Sequence, residues 1–155
     1  MPEAGSKARA TLLGLDFGGR RLGVAVGSEV TGTASPLTTL AVRDDIPDWS
    51  ALERLLGEWR PQGLVLGLPY NLDGTEHALR PRIERFATEL RERYGLPVEL
   101  VDERLSSREA EGRLRDARAS GIRKRRMDKA AVDAMAAAII LERYLDERSR
   151  DGGSG

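Results

Sequence analysis

Three regions of the sequence carry acidic residues in positions where solvated carboxylates are uncommon. Asp16 ends a nearly apolar run of strand length, and the pair Asp102-Glu103 ends another. Asp133 lies within the segment 130–141, in which every other residue is apolar. Open α/β sheets place their sites beyond strand ends, and a carboxylate buried among apolar residues is costly unless it is paired or bound to a metal. The three regions therefore predict a cation-binding cluster of carboxylates.

The rest of the composition limits which cation such a cluster would hold. The chain has no cysteine and a single histidine, His77. Any metal would therefore be held by oxygen ligands or by His77, which favours Mg²⁺ or Mn²⁺ over zinc. These ions lower the pKa of bound water and stabilise the attacking and leaving oxygens of a phosphodiester, so that no dedicated protein nucleophile is needed. We therefore predict a hydrolase, a Mg²⁺- or Mn²⁺-dependent nuclease acting on ester bonds.

Asp16 and Asp133 also have structural interpretations. Asp16 could cap the glycine pair that follows it, and Asp133 could form an ion pair with Arg126 or Lys129. The dipole at the start of a helix stabilises a carboxylate by only about 0.3–1 kcal/mol at an exposed end. This is too little to explain an acidic residue in the apolar segment around Asp133.

The pair Asp102-Glu103 leaves two alternatives open. Side chains alternate between the two faces of a strand, so only one of these carboxylates can point to the same side as Asp16. The spacing does not select between them. A solvated strand end, with Arg104 as counter-ion, is the structural interpretation of the pair.

Basic residues are concentrated near the last two acidic regions. The formal net charge is zero, from 25 basic and 25 acidic residues, yet the segment 104–129 contains ten Lys or Arg against four Asp or Glu. A basic run is often only a solvated loop, but beside a metal cluster it would attract a phosphate backbone. The predicted nucleic-acid-binding residues are Arg20, Arg21, Arg104, Arg123, Lys124, Arg125, Arg126 and Lys129.

The elements that must position these residues follow from hydrophobic periodicity and turn signals. Their order, β-β-β-α-β-α-β-α-α, predicts an α/β fold: a mixed five-stranded sheet, its first three strands antiparallel, flanked by helices. The expected strands lie near 11–17, 22–26, 31–40 (kinked at Ser35-Pro36), 64–68 and 97–101. Four helices are expected. The first begins near Asp48, and the second contains Pro81 and ends near Gly95. The third opens with the capping-box pattern Ser106-x-x-Glu109, and the fourth spans 130–144.

A chain of 155 residues suits one domain, which we place at 10–147, with disordered ends at 1–9 and 148–155. No apolar stretch approaches the roughly 20 residues that span a bilayer. The first residues also lack the apolar core of a signal peptide. We therefore expect a cytoplasmic protein with no membrane partner.

Four segments together resemble the YqgF (RuvX) family. They are LDFGGRRLGVAV at 15–26, VLGLPYNLDGT at 65–75, VDERLS at 101–106 and VDAMAAAIIL at 132–141. The resemblance runs from about Thr11 to Tyr144, in the order of the family's motifs. The turn Gly-Gly-Arg-Arg departs from the commoner Gly-Thr-Arg or Gly-Thr-Lys type, which leaves the role of Arg20 open.

The resemblance implies a ribonuclease H-like fold and a nuclease that processes the 5′ end of the 16S rRNA precursor. The alternative is a Holliday junction resolvase acting on DNA. The family's catalytic and metal-binding positions correspond to Asp16, Glu103 and Asp133, a choice of Glu103 over Asp102 that alternation alone does not make. The implied partners are precursor 16S rRNA or branched DNA, together with ribosomal precursor particles. The protein itself is expected to be a monomer or a weak homodimer.

Two other classes of function remain as alternatives. Asp16-Phe-Gly-Gly followed by a strand is similar to the phosphate hairpin of actin- and sugar-kinase-like nucleotide binders, although those proteins need two domains. The other class is a non-catalytic RNA-binding factor in ribosome assembly, in which the three acids would be structural.

Overall fold

The computed structural model describes residues 11–69, 77–102 and 129–153. The strands are β1 (Thr11–Phe17), β2 (Arg21–Ser28), β3 (Thr33–Arg43), β4 (Ile46–Pro47), β5 (Gly63–Leu68) and β6 (Val98–Asp102). The helices are α1 (Trp49–Trp59), α2 (Arg80–Tyr94) and α3 (Lys129–Gly153). The charged helix expected after Ser106 falls outside the described residues.

The strands form one mixed sheet in the order β4-β3-β2-β1-β5-β6. The pairs β1-β2, β2-β3 and β3-β4 are antiparallel, whereas β5 is parallel to both β1 and β6. The predicted α/β class and the antiparallel start are therefore confirmed. The sheet has six strands rather than the predicted five because the chain forms a further short hairpin after β3.

That hairpin turns through Asp44 and Asp45, which have φ angles of 52° and 65°. Two consecutive residues with positive φ characterise the type I′ turn, whose twist suits a two-residue hairpin. Aspartate tolerates this conformation because its short side chain bonds to nearby backbone. The sequence signal was weak, since the turn lacks the usual glycine.

The predicted kink in β3 is confirmed as a bulge. Val24 pairs with Thr38 and Ala25 with Pro36, which leaves one extra residue, Leu37, on β3. Proline has no N–H group for the strand ladder, so it is accommodated at such irregularities.

Local signals set the ends of the first two helices. The side chain of Asp48 accepts a hydrogen bond from the Ala51 amide at 3.1 Å, as expected of an N-cap. Pro81 lies in the first turn of α2, and Gly95 caps its C-terminus with φ 65°.

The third helix continues through Gly153, beyond Tyr144, and so includes residues 148–153 that the sequence assigned to a disordered tail. Arg148 Nε donates to Glu29, in the turn after β2, at 3.0 Å, and within the helix Arg148 Nη1 donates to the Tyr144 hydroxyl at 3.1 Å. None of the helices in the described ranges has the length and apolar composition of a membrane span.

The two faces of the sheet bury different layers. Leu13, Leu15 and Phe17 of β1 pack with the core formed by α1 and α2. Leu12 packs instead with Ile140 and other residues of α3. Because side chains alternate along a strand, Gly14 and Asp16 share the α3 face with Leu12.

Helix α3 contacts strands β1 and β2 at three glycines. We call the set Gly14, Gly23 and Gly27 the glycine groove. A β-carbon on Gly14 would lie 2.8 Å from the Ala137 carbonyl oxygen, and one on Gly27 would lie 2.8 Å from Leu141 Cδ2. Real β-carbons do not approach other atoms so closely. The small residues of the helix and strands therefore place backbone almost directly against backbone.

Candidate active site

Asp16 and Asp133 meet at the middle glycine of the groove, Gly23. Asp16 is paired with Gly23 across the antiparallel strands β1 and β2, a relationship that brings Cα atoms within about 4.5–5.5 Å. The backbone carbonyl of Asp133 lies against Gly23 from above, well inside the distance that a β-carbon would require. The two acids, which are far apart in sequence, therefore flank one glycine on the α3 face of the sheet.

Arg21 pairs with Asp133 at this position. Arg21 Nε donates to Asp133 Oδ2 at 2.5 Å, and the two side chains are 38% and 23% exposed respectively. Arg21 is two residues before Gly23 on β2, so its side chain projects to the same face. Asp133 is thus a half-buried carboxylate with a cationic neighbour at the mouth of the site.

Among the described residues, the partner of Asp133 is Arg21, which the sequence did not suggest. Arg126 and the side chain of Lys129 lie outside the described residues, whereas Arg21 comes from the other end of the chain. Sequence reasoning treated Arg21 only as a phosphate-binding candidate. A usable signal existed, because Arg21, Gly23, Ala25 and Gly27 alternate along β2 and mark the face on which α3 docks.

The third predicted acid, Glu103, lies outside the described residues. The strand that precedes it is described. Leu100 packs against the α1–α2 core, and Val101 packs against the α3-side cluster. Within the described part of the chain, no group of three or more acidic or histidine side chains is placed to hold a metal ion.

Two of the predicted nucleic-acid-binding residues have described side chains. Arg20 is exposed on the β1–β2 turn, where its carbonyl accepts from the Val42 amide at 2.9 Å. Arg21 follows it and pairs with Asp133. Arg104, Arg123, Lys124, Arg125 and Arg126 lie outside the described ranges, and only the backbone of Lys129, the first residue of α3, is described.

The described donors suit an oxygen-preferring divalent ion. Asp16 and Asp133 offer carboxylate oxygens on one face, and the arrangement already holds a guanidinium cation beside Asp133. Oxygen donors of this kind match Mg²⁺ or Mn²⁺. Chemically, such a pair could bind a cation at the end of the sheet and present it to a phosphodiester.

Comparison with known proteins finds relatives that match nearly the whole chain. Two curated relatives, from Xanthomonas campestris pv. campestris (strain B100) and Xanthomonas axonopodis pv. citri (strain 306), are 53% and 52% identical over 146 residues, 94% of each chain. Both are named "Putative pre-16S rRNA nuclease".

Among solved structures, T. thermophilus RuvC in complex with a Holliday junction substrate superposes with a TM-score of 0.54 at 19% identity. The match covers 90% of this chain and 96% of that one, and it shows the shared ribonuclease H-like fold. The family model for RuvX, described as Holliday junction resolvase, matches residues 10–147. The chain therefore belongs to the RuvX family.

Proposed function

We propose that this protein is a divalent-metal-dependent nuclease that processes the 5′ end of the 16S rRNA precursor. The observation that carries the proposal is the meeting of Asp16 and Asp133 at Gly23, which puts two carboxylates on one face of a ribonuclease H-like sheet. The choice of substrate is supported by relatives of more than 50% identity along nearly the whole chain, whose name refers to pre-16S rRNA.

Asp16, Asp133 and Glu103 would hold Mg²⁺ or Mn²⁺. The choice of Glu103 over Asp102 is supported by the parity of β6: Glu99 and Val101 lie opposite Val65 and Gly67 on the α3 face, and residue 103 has the same parity. When bound, the ion would supply an activated water and charge stabilisation at the phosphodiester.

The remaining residues of the site would bind and orient the substrate. Arg20 lies exposed on the turn that follows Asp16, and Lys129 begins the helix that carries Asp133. Together with Arg104 and the basic segment 123–126, they would contact phosphates beside the acidic site, a sequence-independent interaction that weakens with salt. The reaction needs no nucleophile from the protein, which fits a site without cysteine or histidine ligands.

A second candidate is cleavage of branched DNA. It is favoured by the description of the family model, Holliday junction resolvase, and the same carboxylate chemistry would serve both substrates. Symmetric cleavage of a junction requires a two-fold dimer, whereas rRNA processing is compatible with the expected monomer or weak homodimer. We place the protein in the cytoplasm, where ribosomal precursor particles assemble.

The test is to incubate precursor 16S rRNA and a four-way DNA junction in parallel with Mg²⁺, Mn²⁺ or a chelator. We expect metal-dependent cleavage near the mature 5′ end of the rRNA and little cleavage of the junction. Preferential, paired cuts in the junction would favour the resolvase, and a dimeric solution mass would support it. Absence of cleavage, combined with full biological activity of the Asp133→Asn variant, would establish a non-catalytic assembly factor instead.

A further inference from the structure

Arg21 lies beside the carboxylate of Asp133, whose negative charge the proposed metal would neutralise. Its guanidinium donates to Asp133 Oδ2 at 2.5 Å. We propose that Arg21 is a place-holder cation, which neutralises Asp133 in the metal-free protein and turns to a substrate phosphate once a divalent ion has taken over that charge. Metal and nucleic acid would then bind cooperatively. This inference rests on the proposed function.

The first argument concerns the metal-free protein. Asp133 is only 23% exposed and is followed by buried residues of α3, including Ala134 and Ala136. Its backbone is held against Gly23, so the residue as a whole cannot move away from the sheet to expose the carboxylate further. A partly buried carboxylate without a partner is strongly unfavourable. Arg21 supplies that partner from the neighbouring strand.

The second argument is that the guanidinium and a divalent ion would compete. Both cations would lie beside the same carboxylate, and like charges a few ångström apart repel strongly in a site that is partly shielded from water. The metal therefore weakens the hold of Asp133 on Arg21, and Arg21 weakens binding of the metal. A ligand that draws Arg21 away from Asp133 would relieve this repulsion.

The third argument is that Arg21 can leave without disturbing the fold. Its backbone is fixed, because its carbonyl accepts from the Gly18 amide at 2.8 Å and the residue pairs with Ala41 of β3. Its side chain is 38% exposed, so a rotamer change can carry the guanidinium into solvent. A guanidinium binds a phosphate through two parallel hydrogen bonds, which makes a phosphodiester a good alternative partner.

The first measurement is Mn²⁺ binding to the full-length protein in the absence of nucleic acid, by calorimetry. We expect Arg21→Gln to bind Mn²⁺ about tenfold more tightly than the original chain, within the usual range of coupling between sites. Arg21→Lys keeps the positive charge and should bind Mn²⁺ nearly as the original chain does. Equal or weaker binding by Arg21→Gln would overturn the inference, and so would Arg21→Lys behaving like Arg21→Gln.

The second measurement is binding of an RNA oligonucleotide with and without Mn²⁺, recorded by stopped flow before cleavage, with the oligonucleotide shown to be intact on a gel. In the original chain we expect Mn²⁺ to raise the affinity about tenfold. In Arg21→Gln this enhancement should fall below about twofold, because no guanidinium is released. An undiminished enhancement in Arg21→Gln would contradict the proposal.

The matched control is Arg20→Gln, which removes the same charge from the same turn but not from Asp133. It should lower oligonucleotide affinity at every metal concentration while keeping the enhancement by Mn²⁺; loss of the enhancement here would assign the coupling to general charge and overturn the role of Arg21.

The outcomes also separate the two proposals. If the original chain binds no Mn²⁺, the proposed function fails; if it binds and cleaves but Arg21→Gln changes neither measurement, only this inference fails.

Discussion

The backbone carbonyl of Asp133 rests against Gly23, in the space that a side chain at that position would need. Gly23 is also the cross-strand partner of Asp16. The separation of the two acids is therefore set by a direct contact between a helix and a strand. Any atom added at Gly23 must lift the start of α3 from the sheet.

Gly23→Ala should consequently damage the site more than the fold. A shift of about 1 Å in a reacting group can lower the rate about 100-fold, and we expect a loss of at least that size, together with weaker Mn²⁺ binding. Overpacking should also destabilise the protein by about 1–3 kcal/mol. The measurements are calorimetric metal affinity, cleavage rate and urea denaturation.

Gly14→Ala provides the control for this prediction. A β-carbon there would lie 2.8 Å from the Ala137 carbonyl oxygen, so the variant strains the same helix farther from the acids. It should lower stability by a similar amount, about 1–3 kcal/mol, with a much smaller effect on metal affinity. Equal losses of metal affinity in both variants would show that Gly23 has no special position.

Asp16→Asn should remove metal-dependent cleavage while leaving the fold intact. Loss of a carboxylate ligand takes away several kcal/mol of charge stabilisation, which corresponds to a rate decrease of about 1,000-fold or more. Asp48→Asn is the matched control, because asparagine also caps a helix well and Asp48 caps α1 away from the site. Cleavage by Asp16→Asn within tenfold of the original chain would refute the assignment of this ligand.

Glu103→Gln and Asp102→Asn should behave differently although the residues are adjacent. Val101 packs on the α3 face and Leu100 on the opposite one, and strand parity then favours residue 103 as the ligand. We expect Glu103→Gln to abolish cleavage and Asp102→Asn to retain rates within about threefold. Parallel single-turnover assays would decide, and the reverse pattern would identify Asp102 as the ligand.

Tyr94 makes the stability of the protein sensitive to alkaline pH. Burial, followed by the hydrogen bond that its hydroxyl donates to Glu53 at 3.0 Å, raises the pKa of Tyr94 from 10.0 to about 12. The unfolded chain loses this proton first, so the free energy of unfolding should decrease as pH rises from about 10 towards 12.

The Tyr94→Phe variant should lack this component. The measurement is urea denaturation at several pH values between about 9 and 12, in which the variant's stability should fall less steeply than that of the original chain. Identical slopes for the two proteins would contradict the raised pKa.

The features predicted correctly from sequence depend on local signals. Asp48, Pro81 and Gly95 act on their own helix ends, and Pro36 on its own strand, so their effects could be predicted without knowing the fold. The β4 hairpin was missed because an Asp-Asp pair is an uncommon way to form its turn. The later turns of α3 depend on the distant Glu29, which sequence periodicity does not reveal.

The candidate site was only partly predictable for the same reason. Asp133 could be selected as a candidate because a charge in an apolar helix is unusual in any fold. Its partner Arg21 could not, since the two residues are 112 positions apart and meet only through the docking of α3 on β2. The choice of Glu103 came from family resemblance, because alternation needs a known reference face.

At Gly14 and Gly23, the backbone of helix α3 contacts β1 and β2 with no large side chain between them. Its height above the sheet is therefore determined by main-chain atoms and does not depend on the sizes of the leucines and phenylalanines that fill the opposite core. We therefore expect substitutions in that core to lower stability with a smaller effect on the spacing of the two acids. The geometry of the proposed metal site would then depend little on the composition of that core.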